Sequence, residues 1–351
     1  MARFALIIFI VIWIVGCNPT GPENGWTPTL QQLNGQKNVR DLVSATIHPD
    51  GTVWTWGLGV FGTLGTGSLE SSETPVQAIG INNAIAIDLF AGVAVAADNK
   101  GNIYFWGDYA VYSEPPGFDT IVVVPTIVSY LSGVKSLVIG IRQLFYFLRN
   151  DGSVWYVQFD HNSPTKTLKP IKIEGLSDAI QVTECYALRS NGTIFDLIAT
   201  IPNELSPPPD RGGPVPNLGN IIQVESVWFR RTVILKNDGT VWAWGWNDFG
   251  QLGNGTFQDS EEPVRVGNLT NIVAISAHYD YNLALTRDGI VWFWGLEYPL
   301  EKRGTSTPVQ IQKLKKVSTI YADYNSLVLC EDGSYWSFNA ANKIPEQILF
   351  K

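Results

Sequence analysis

Residues that could carry catalysis or hold a metal ion are few and scattered in this chain of 351 residues. The three histidines, His48, His161 and His278, stand far apart, and the sequence contains no H-E-x-x-H or G-x-S-x-G motif. We expect His48 to be a solvated histidine beside a turn. One segment crowds four carboxylates that could attract Ca²⁺, but their spacing fits no EF-hand loop, and we interpret them as solvated loop charges: Asp248, Asp259, Glu261 and Glu262. The sequence therefore predicts no enzyme activity, no metal site and no cofactor.

The charge pattern argues against a nucleic-acid surface. The chain has 24 Lys and Arg against 32 Asp and Glu, a formal net charge of −8, and its basic clusters do not exceed pairs such as Lys315-Lys316. A nucleic-acid surface needs many cations to neutralise phosphates. We therefore expect no nucleic acid among the partners. A mildly acidic surface favours solubility and is also compatible with a basic protein partner.

The N-terminus has the pattern of an export signal. Arg3 precedes an apolar stretch from Phe4 to Val15, which as a helix is too short to cross a hydrocarbon core of ~30 Å. The stretch ends at Cys17 in a pattern that resembles the lipobox of bacterial lipoproteins, and the resemblance implies that Cys17 is diacylated. We predict a signal peptide over residues 1–16 and a lipid-anchored tether over residues 17–36. The chain would then be exported and held at a membrane, in the cell envelope or at the cell surface. An uncleaved signal anchor is the alternative.

The rest of the chain repeats one pattern seven times. An Asp, Asn or Lys precedes a glycine, and an aromatic residue follows three positions later, at intervals of 40 to 51 residues. Such periods are typical of solenoids and propellers. The glycines are Gly51, Gly101, Gly152, Gly192, Gly239, Gly289 and Gly333, and the aromatic residues are Trp54, Tyr104, Trp155, Phe195, Trp242, Trp292 and Trp336.

Each repeat has room for four short strands. The Gly pairs are hairpin-turn residues between the second and third strands, because Gly tolerates positive φ. Alternate positions share a face of a strand, so Trp242 and Trp244 point one way, while Ala243 on the other face is also apolar. The fourth strand is predicted to begin at a proline, the series being Pro75, Pro125, Pro170, Pro214, Pro263, Pro308 and Pro345.

A strand that is apolar on both faces is buried on both faces. Seven four-stranded antiparallel sheets packed face to face around an axis satisfy this requirement and leave only short, protected edges. We therefore predict an all-β, seven-bladed β-propeller over residues 37–351, with the aromatic rings wedged between neighbouring blades. Either Pro28–Leu33 or Pro345–Phe350 supplies the strand that closes the ring. Cys185 and Cys330 would lie across this ring, so we expect two largely buried thiols that form no disulfide.

One segment resembles a known family. Trp244 to Gly255 reads W-G-W-N-D-F-G-Q-L-G-N-G, which resembles the W-G-x-N-x-x-G-Q-L-G-x-G signature of the regulator-of-chromosome-condensation repeat family, and Trp56 to Gly67 is a weaker copy. The resemblance extends over about residues 38–351 and implies a seven-bladed propeller. Members of this family include a nuclear exchange factor and a secreted inhibitor, both of which present one face of the ring to a protein.

Binding residues are expected in the long, irregular loops at one end of the blades. Such loops on a rigid scaffold commonly carry binding, and aromatic residues and arginine are enriched at binding hot spots. We predict a monomer that binds a protein partner through these loops; a carbohydrate-binding surface, or a propeller lyase or hydrolase, are the alternatives. Phe61 and Phe249 could instead pack the loops onto the blades. The predicted partner-binding residues are Trp228, Phe229, Arg230, Trp246, Tyr279, Tyr281, Tyr112 and Tyr298.

Overall fold

The computed structural model describes residues 43–48, 50–90, 92–108, 121–140, 144–158, 169–197, 213–214, 218–227, 231–278, 281–296, 304–322, 326–338 and 344–348. The chain divides into two compact units, and among the described residues the boundary falls between Val182 and Thr183. The predicted signal peptide, the tether and Pro28–Leu33 lie outside the described residues. The described part of the chain contains no helix with the length and apolarity that a membrane crossing requires.

Seven antiparallel sheets follow one another along the chain, as predicted, and we call them blades 1 to 7. Among the described residues blade 1 has three strands and each other blade has four, paired in chain order. The strands of the first three blades are β1 Val43–Ile47, β2 Val53–Gly57, β3 Ser72–Gln77; β4 Ala84–Phe90, β5 Val93–Asp98, β6 Asn102–Asp108, β7 Ile121–Tyr130; and β8 Val134–Ile139, β9 Leu144–Arg149, β10 Val154–Gln158, β11 Ile171–Lys172.

The remaining four blades repeat this order. Their strands are β12 Ala179–Val182, β13 Tyr186–Arg189, β14 Ile194–Asp196, β15 Gly213–Pro214; β16 Ile221–Val227, β17 Arg231–Lys236, β18 Val241–Gly245, β19 Ser260–Arg265; β20 Ile272–Ala277, β21 Tyr281–Thr286, β22 Val291–Gly295, β23 Thr305–Gln310; and β24 Val317–Tyr321, β25 Ser326–Cys330, β26 Tyr335–Phe338, β27 Glu346–Ile348. The segment after Pro345 is thus the fourth strand of blade 7, where Trp336 pairs with Gln347.

The repeated glycines form the predicted turns. All seven have φ between 77° and 92°, a region that side chains with a Cβ rarely adopt. In blade 5 the turn is held by Asp238, whose Oδ1 accepts the backbone N–H and the hydroxyl of Thr240 at 3.0 and 2.6 Å. The Thr240 hydroxyl in turn accepts the indole N–H of Trp242 at 3.1 Å. Blades 1, 3 and 7 repeat this relay with Trp54, Trp155 and Trp336.

The tryptophans at the two aromatic positions of the third strand differ in burial, a difference that the prediction of rings wedged between blades did not contain; at both positions they pack against the cores between blades. The tryptophans five positions after the glycine are the core: Trp56, Trp106, Trp244 and Trp294 are at most 6% exposed. Those three positions after it are only half-buried: Trp54, Trp155, Trp242, Trp292 and Trp336. In blades 1, 3, 5 and 7 the turn relay holds the indole N–H of the half-buried tryptophan at the polar end of the blade. Blade 6 has Ile290 in place of the hydroxyl residue, so the relay does not account for Trp292. Each fully buried indole removes ~200 Å² from water, worth at most ~5 kcal/mol.

The predicted position of the prolines also needs correction. Pro75, Pro125, Pro263 and Pro308 lie inside the outer strands β3, β7, β19 and β23 rather than at their first residues. The register explains why proline is tolerated there. In blade 5, Ala243 pairs with Val264 and Gly245 with Ser260, so three residues of β19, including Pro263, bulge opposite Trp244. A bulge on an edge strand releases proline from the ladder bond that it cannot donate.

The apolar cores form between consecutive blades. Trp106 of blade 2 packs with Ala45 and Ala78 of blade 1, and Trp294 of blade 6 packs with Val233 and Val266 of blade 5. Cys185 and Cys330 remain thiols and are buried as expected, at 3% and 6% exposure.

Candidate functional site: the signature loop of blade 5

Two loops that join a third strand to a fourth share one backbone design. We call residues 57–71 of blade 1 the first signature loop and residues 245–259 of blade 5 the second signature loop. They align position for position without a gap, Gly57 with Gly245 and Ser71 with Asp259. At their closing ends the N–H of Gly59 donates to Ser71 Oγ at 3.1 Å, and the N–H of Asn247 donates to Asp259 Oδ1 at 2.7 Å.

Both loops attach to the following blade. The indole N–H of Trp106 donates to the carbonyl of Thr63 at 2.7 Å, and that of Trp294 donates to the carbonyl of Gln251 at 2.9 Å. Further along, the N–H of Gly67 donates to Val123 O at 2.9 Å and that of Gly255 to Ser306 O at 2.8 Å. Each loop therefore connects its own blade to the core tryptophan and the outer-strand bulge of the next.

The glycines of the signature are required by this close approach. Gly253 has φ of 63°, and a Cβ there would lie 2.7 Å from Cδ1 of Trp294 and from Cγ1 of Val266. A Cβ at the equivalent Gly65 would lie 3.0 Å from Nε1 of Trp106. The spacing of glycines in the signature thus serves packing between blades rather than a ligand.

Asn247 fills the inside of the second signature loop. Its Nδ2 donates to the carbonyls of Thr256 and Gln258 at 3.1 and 2.9 Å, and its Oδ1 accepts the N–H of Leu252 at 2.8 Å. The first signature loop has Gly59 at this position. A Cβ at Gly59 would lie 1.9 Å from the carbonyl oxygen of Glu70, so this loop closes on itself by backbone approach instead.

The side chains that the second signature loop leaves at the surface include an aromatic pair and two carboxylates. Trp246 and Phe249 are half-buried and meet edge to face, with ring centroids 5.6 Å apart. The exposed Asp248 accepts the indole N–H of Trp246 at 2.7 Å, which fixes the orientation of the ring. Asp259, Glu261 and Glu262 are exposed nearby in the chain.

Blades 5 and 6 are also joined by a polar contact between their inner strands. The guanidinium of Arg231, 4% exposed, donates to the carbonyl of His278 at 2.6 Å. Burial, and then the charge of Arg231, lowers the pKa of His278 to about 4, so the imidazole is neutral at pH 7. The ring of His278 also packs against that of Tyr281, with centroids 5.3 Å apart.

The predicted binding residues have different outcomes. Trp246 is half-buried in the second signature loop beside the exposed Asp248, and its role in binding stays a prediction. Tyr281 does not: it is 2% exposed, its hydroxyl shares a hydrogen bond of 2.6 Å with Ser326, and its ring stacks on Phe293, which makes it part of the core. It lies in β21, where strand packing rather than loop position decides its orientation. Outside the described residues lie Trp228, Phe229, Arg230, Tyr279, Tyr112 and Tyr298.

Phe61 and His48, the other residues that the sequence singled out, have structural roles in the described part of the chain. Phe61 is 41% exposed but its ring lies against Gly92 of blade 2, 3.2 Å from where a Cβ would stand. His48 is partly exposed beside its turn, with Nδ1 2.9 Å from Asp50 Oδ1. In the described part of the chain no three His, Cys, Asp or Glu side chains are grouped so as to hold a metal ion.

The inner strands carry a further contact that sequence reasoning missed. Asp88 of β4 accepts the N–H of Ile139 in blade 3 at 2.8 Å, and Ser276 at the equivalent register of β20 accepts the N–H of Ala322 in blade 7 at 2.9 Å. Burial raises the pKa of Asp88 to about 6, against two backbone donors, Ile139 and Leu89. A signal was available, since a lone Asp stands in the apolar strand Ala84–Phe90.

Comparison with known proteins identifies the repeat. The model of the Regulator of chromosome condensation (RCC1) repeat matches residues 50–95 and 238–285, and a second model of that repeat matches residues 221–251. The chain therefore contains repeats of the RCC1 type. The first two matched segments each contain a signature loop, and the role of these loops in joining blades explains the match.

Sequence similarity to known proteins extends over most of the chain. The chain is 24% identical over 328 residues to E3 ubiquitin-protein ligase HERC2 of Mus musculus, covering 88% of this chain and 6% of that protein. It is 28% identical over 258 residues to Ultraviolet-B receptor UVR8 of Arabidopsis thaliana, covering 70% of this chain and 49% of that protein. The chain therefore spans less than half the length of both relatives.

Prp20p of Saccharomyces cerevisiae has a similar fold, with a TM-score of 0.50, 17% identity, and coverage of 89% of this chain and 76% of that one. Prp20p itself has binding properties toward Gsp1p and histones. At this identity the likeness concerns the fold alone. The chain folds as a seven-bladed β-propeller, as its sequence repeat predicted.

Proposed function

We propose that this propeller is a non-catalytic protein-binding module that engages a protein partner through the loop end of blade 5. The observation that carries the proposal is that the residues which build and attach the second signature loop are different from Trp246. Its glycines, Asn247 and the Gln251 carbonyl build the loop and attach it to blade 6, whereas the indole N–H of Trp246 is directed to the exposed Asp248. A rigid loop that presents an oriented indole is suited to partner binding.

The proposal includes predicted binding residues outside the described part of the chain. In the sequence Trp228, Phe229 and Arg230 follow β16, and Tyr279 follows β20; we propose that they join Trp246 in binding the partner. Tyr112 and Tyr298 belong to the segments that follow the third strands of blades 2 and 6. We further propose that one copy of the chain binds the partner, and that it does so outside the cytoplasm, with Cys17 carrying the lipid that holds it to a membrane.

Photo-crosslinking in the source organism tests the proposal. A photoreactive residue replaces Thr256, an exposed position of the second signature loop, in the full-length chain; the matched control carries it at Ser68, the equivalent position of the first loop. We expect a discrete protein adduct from position 256 that Trp246→Ala weakens at least tenfold. Adducts of equal yield from both positions, or adducts with glycan alone, would contradict protein binding by this loop.

The location has its own test. We expect the full-length chain to fractionate with membranes and to incorporate labelled fatty acid, and Cys17→Ser to abolish the incorporation. Incorporation that persists in Cys17→Ser, or none in the parent chain, would overturn the lipid anchor without bearing on the partner.

A further inference from the structure

We propose that the partner segment bound by the second signature loop is basic, with an Arg or Lys side chain seated on the ring of Trp246 beside Asp248. The inference rests on the proposed function and adds the chemistry of the partner. Trp246 and Phe249 meet edge to face, and this contact fixes one ring against the other. A fixed indole offers its negative π face to a cation.

The position of Asp248 adds a charge to that ring. Its Oδ2 accepts the indole N–H at 2.7 Å, so the carboxylate stands at the edge of the ring whose face would receive the cation. A guanidinium over the ring can approach this carboxylate as well, and the two attractions reinforce each other. Each is weak at an exposed site, so both are needed for a measurable preference.

The surrounding surface favours the same charge. Residues 245–265 contain four exposed carboxylates and one Lys or Arg, Arg265, within a chain of net charge −8. The four are Asp248, Asp259, Glu261 and Glu262. Complementary charge steers encounter and excludes like-charged partners. An acidic segment would meet repulsion here, and a neutral one would make no use of the oriented carboxylate at the ring edge.

The first signature loop supports this interpretation by contrast. On an equivalent backbone it carries Leu58 in place of Trp246 and Val60 in place of Asp248. Both loops keep the backbone carbonyl that attaches them to the tryptophan of the next blade, from Thr63 in the first and Gln251 in the second. The two loops are attached in the same way but differ at these two positions. In blade 5 the positions combine the π face of Trp246 with the carboxylate of Asp248.

The test uses labelled peptides of defined charge. Fluorescein-labelled dodecapeptides that alternate arginine or glutamate with glycine are titrated with the full-length chain in detergent, and anisotropy is read at about 50 and about 300 mM NaCl, a range over which charge screening increases. We expect the arginine peptide to bind, the glutamate peptide not to bind, and binding to weaken with salt. Introducing the residues of the first loop, Trp246→Leu with Asp248→Val, should reduce affinity for the arginine peptide about tenfold.

Matched controls separate this surface from diffuse attraction. Glu331→Gln with Glu346→Gln removes two exposed carboxylates of blade 7 and should leave the affinity within about twofold. An equal loss in this control, or no loss in the Trp246 and Asp248 variant, would overturn the proposal. If crosslinking at position 256 captures a protein through an acidic segment, the proposed function stands and this inference fails.

Discussion

Blades 1 and 5 carry the same loop on the same backbone, yet they close it in different ways. In blade 5 the amide of Asn247 fills the loop with hydrogen bonds, whereas in blade 1 Gly59 lets the backbone of Glu70 approach to the position where a side chain would begin. In both loops the backbone carbonyl at the equivalent position, Thr63 or Gln251, accepts the indole N–H of the tryptophan in the next blade. The two blades thus share the attachment to their neighbours, while the interior and the surface of the loop differ.

Exchanging the interior residues should have the largest effect. Gly59→Asn places a Cβ against the Glu70 carbonyl and should destabilise the chain by ~4 kcal/mol, since the obstacle is backbone. Asn247→Gly leaves buried polar groups of the second loop unpaired and should cost ~2–3 kcal/mol. Urea denaturation followed by circular dichroism measures both. Comparable, small effects would mean that the two loops are interchangeable inside as well as outside.

The packing glycines should rank next. Gly253→Ala meets Trp294 and Val266 at 2.7 Å, so we expect a loss of ~3 kcal/mol; Gly65→Ala, with its nearest contact at 3.0 Å, should cost ~2 kcal/mol. Gly333→Ala and Gly80→Ala are the matched controls, because both glycines have positive φ and nothing within 4 Å of the added Cβ. Losses no greater than those of the controls would exclude close packing as the reason for glycine.

The blades that receive the two loops should respond oppositely to pH. Asp88 in blade 2 has a folded pKa of about 6 against 3.8, so the native state binds more protons and stability falls as pH rises from about 4 to about 6. His278 in blade 6 has a folded pKa of about 4 against 6.5, so the unfolded state binds more protons and stability rises across about pH 4 to 6.5.

Single substitutions should therefore expose each slope. Asp88→Asn keeps an oxygen acceptor for the Ile139 N–H and should leave a profile that rises with pH; His278→Gln should leave one that falls. Each change is expected to be on the order of 2 kcal/mol across the window. Denaturation midpoints between about pH 4 and 7 supply the test. If the stability of both variants changed with pH in the same way as that of the parent chain, the two assignments would be wrong.

The surface residues should matter least for stability. Trp246→Leu and Leu58→Trp exchange the surface side chains of the two loops and should each shift the free energy of unfolding by less than ~1 kcal/mol, because other residues of the loops make the hydrogen bonds to the next blade. The crosslinking and peptide experiments then report binding in folded variants. A large loss of stability in Trp246→Leu would show that this indole supports the fold.

The fold could be predicted from the sequence because its signals are repeated seven times. Gly turns with an aromatic residue at a fixed offset specify hairpins, and the alternation around Trp242 and Trp244 specifies a strand buried on both faces. The different burial of Trp242 and Trp244 could not be predicted, since alternation assigns both to the same face of the strand and only the packing of neighbouring blades separates them.

The candidate site was less predictable. An aromatic residue near a loop is compatible with both surface and core, and only register decides: Trp246 follows the end of β18, while Tyr281 is the first residue of β21 and is buried in the core between blades 6 and 7. The prolines misled for a similar reason, since sequence position locates them within a few residues of a strand but does not reveal the bulge that admits them.

Because each signature loop contacts the blade that follows it, the unit that packs together does not coincide with the unit that repeats along the chain. A blade contains its own strands, but the unit that buries a core indole consists of one blade's loop and the following blade's tryptophan. Excision of blade 2 or blade 6 would therefore leave the preceding signature loop without the tryptophan that it contacts, and blade 1 or blade 5 keeps that contact after transplantation only if the following blade accompanies it.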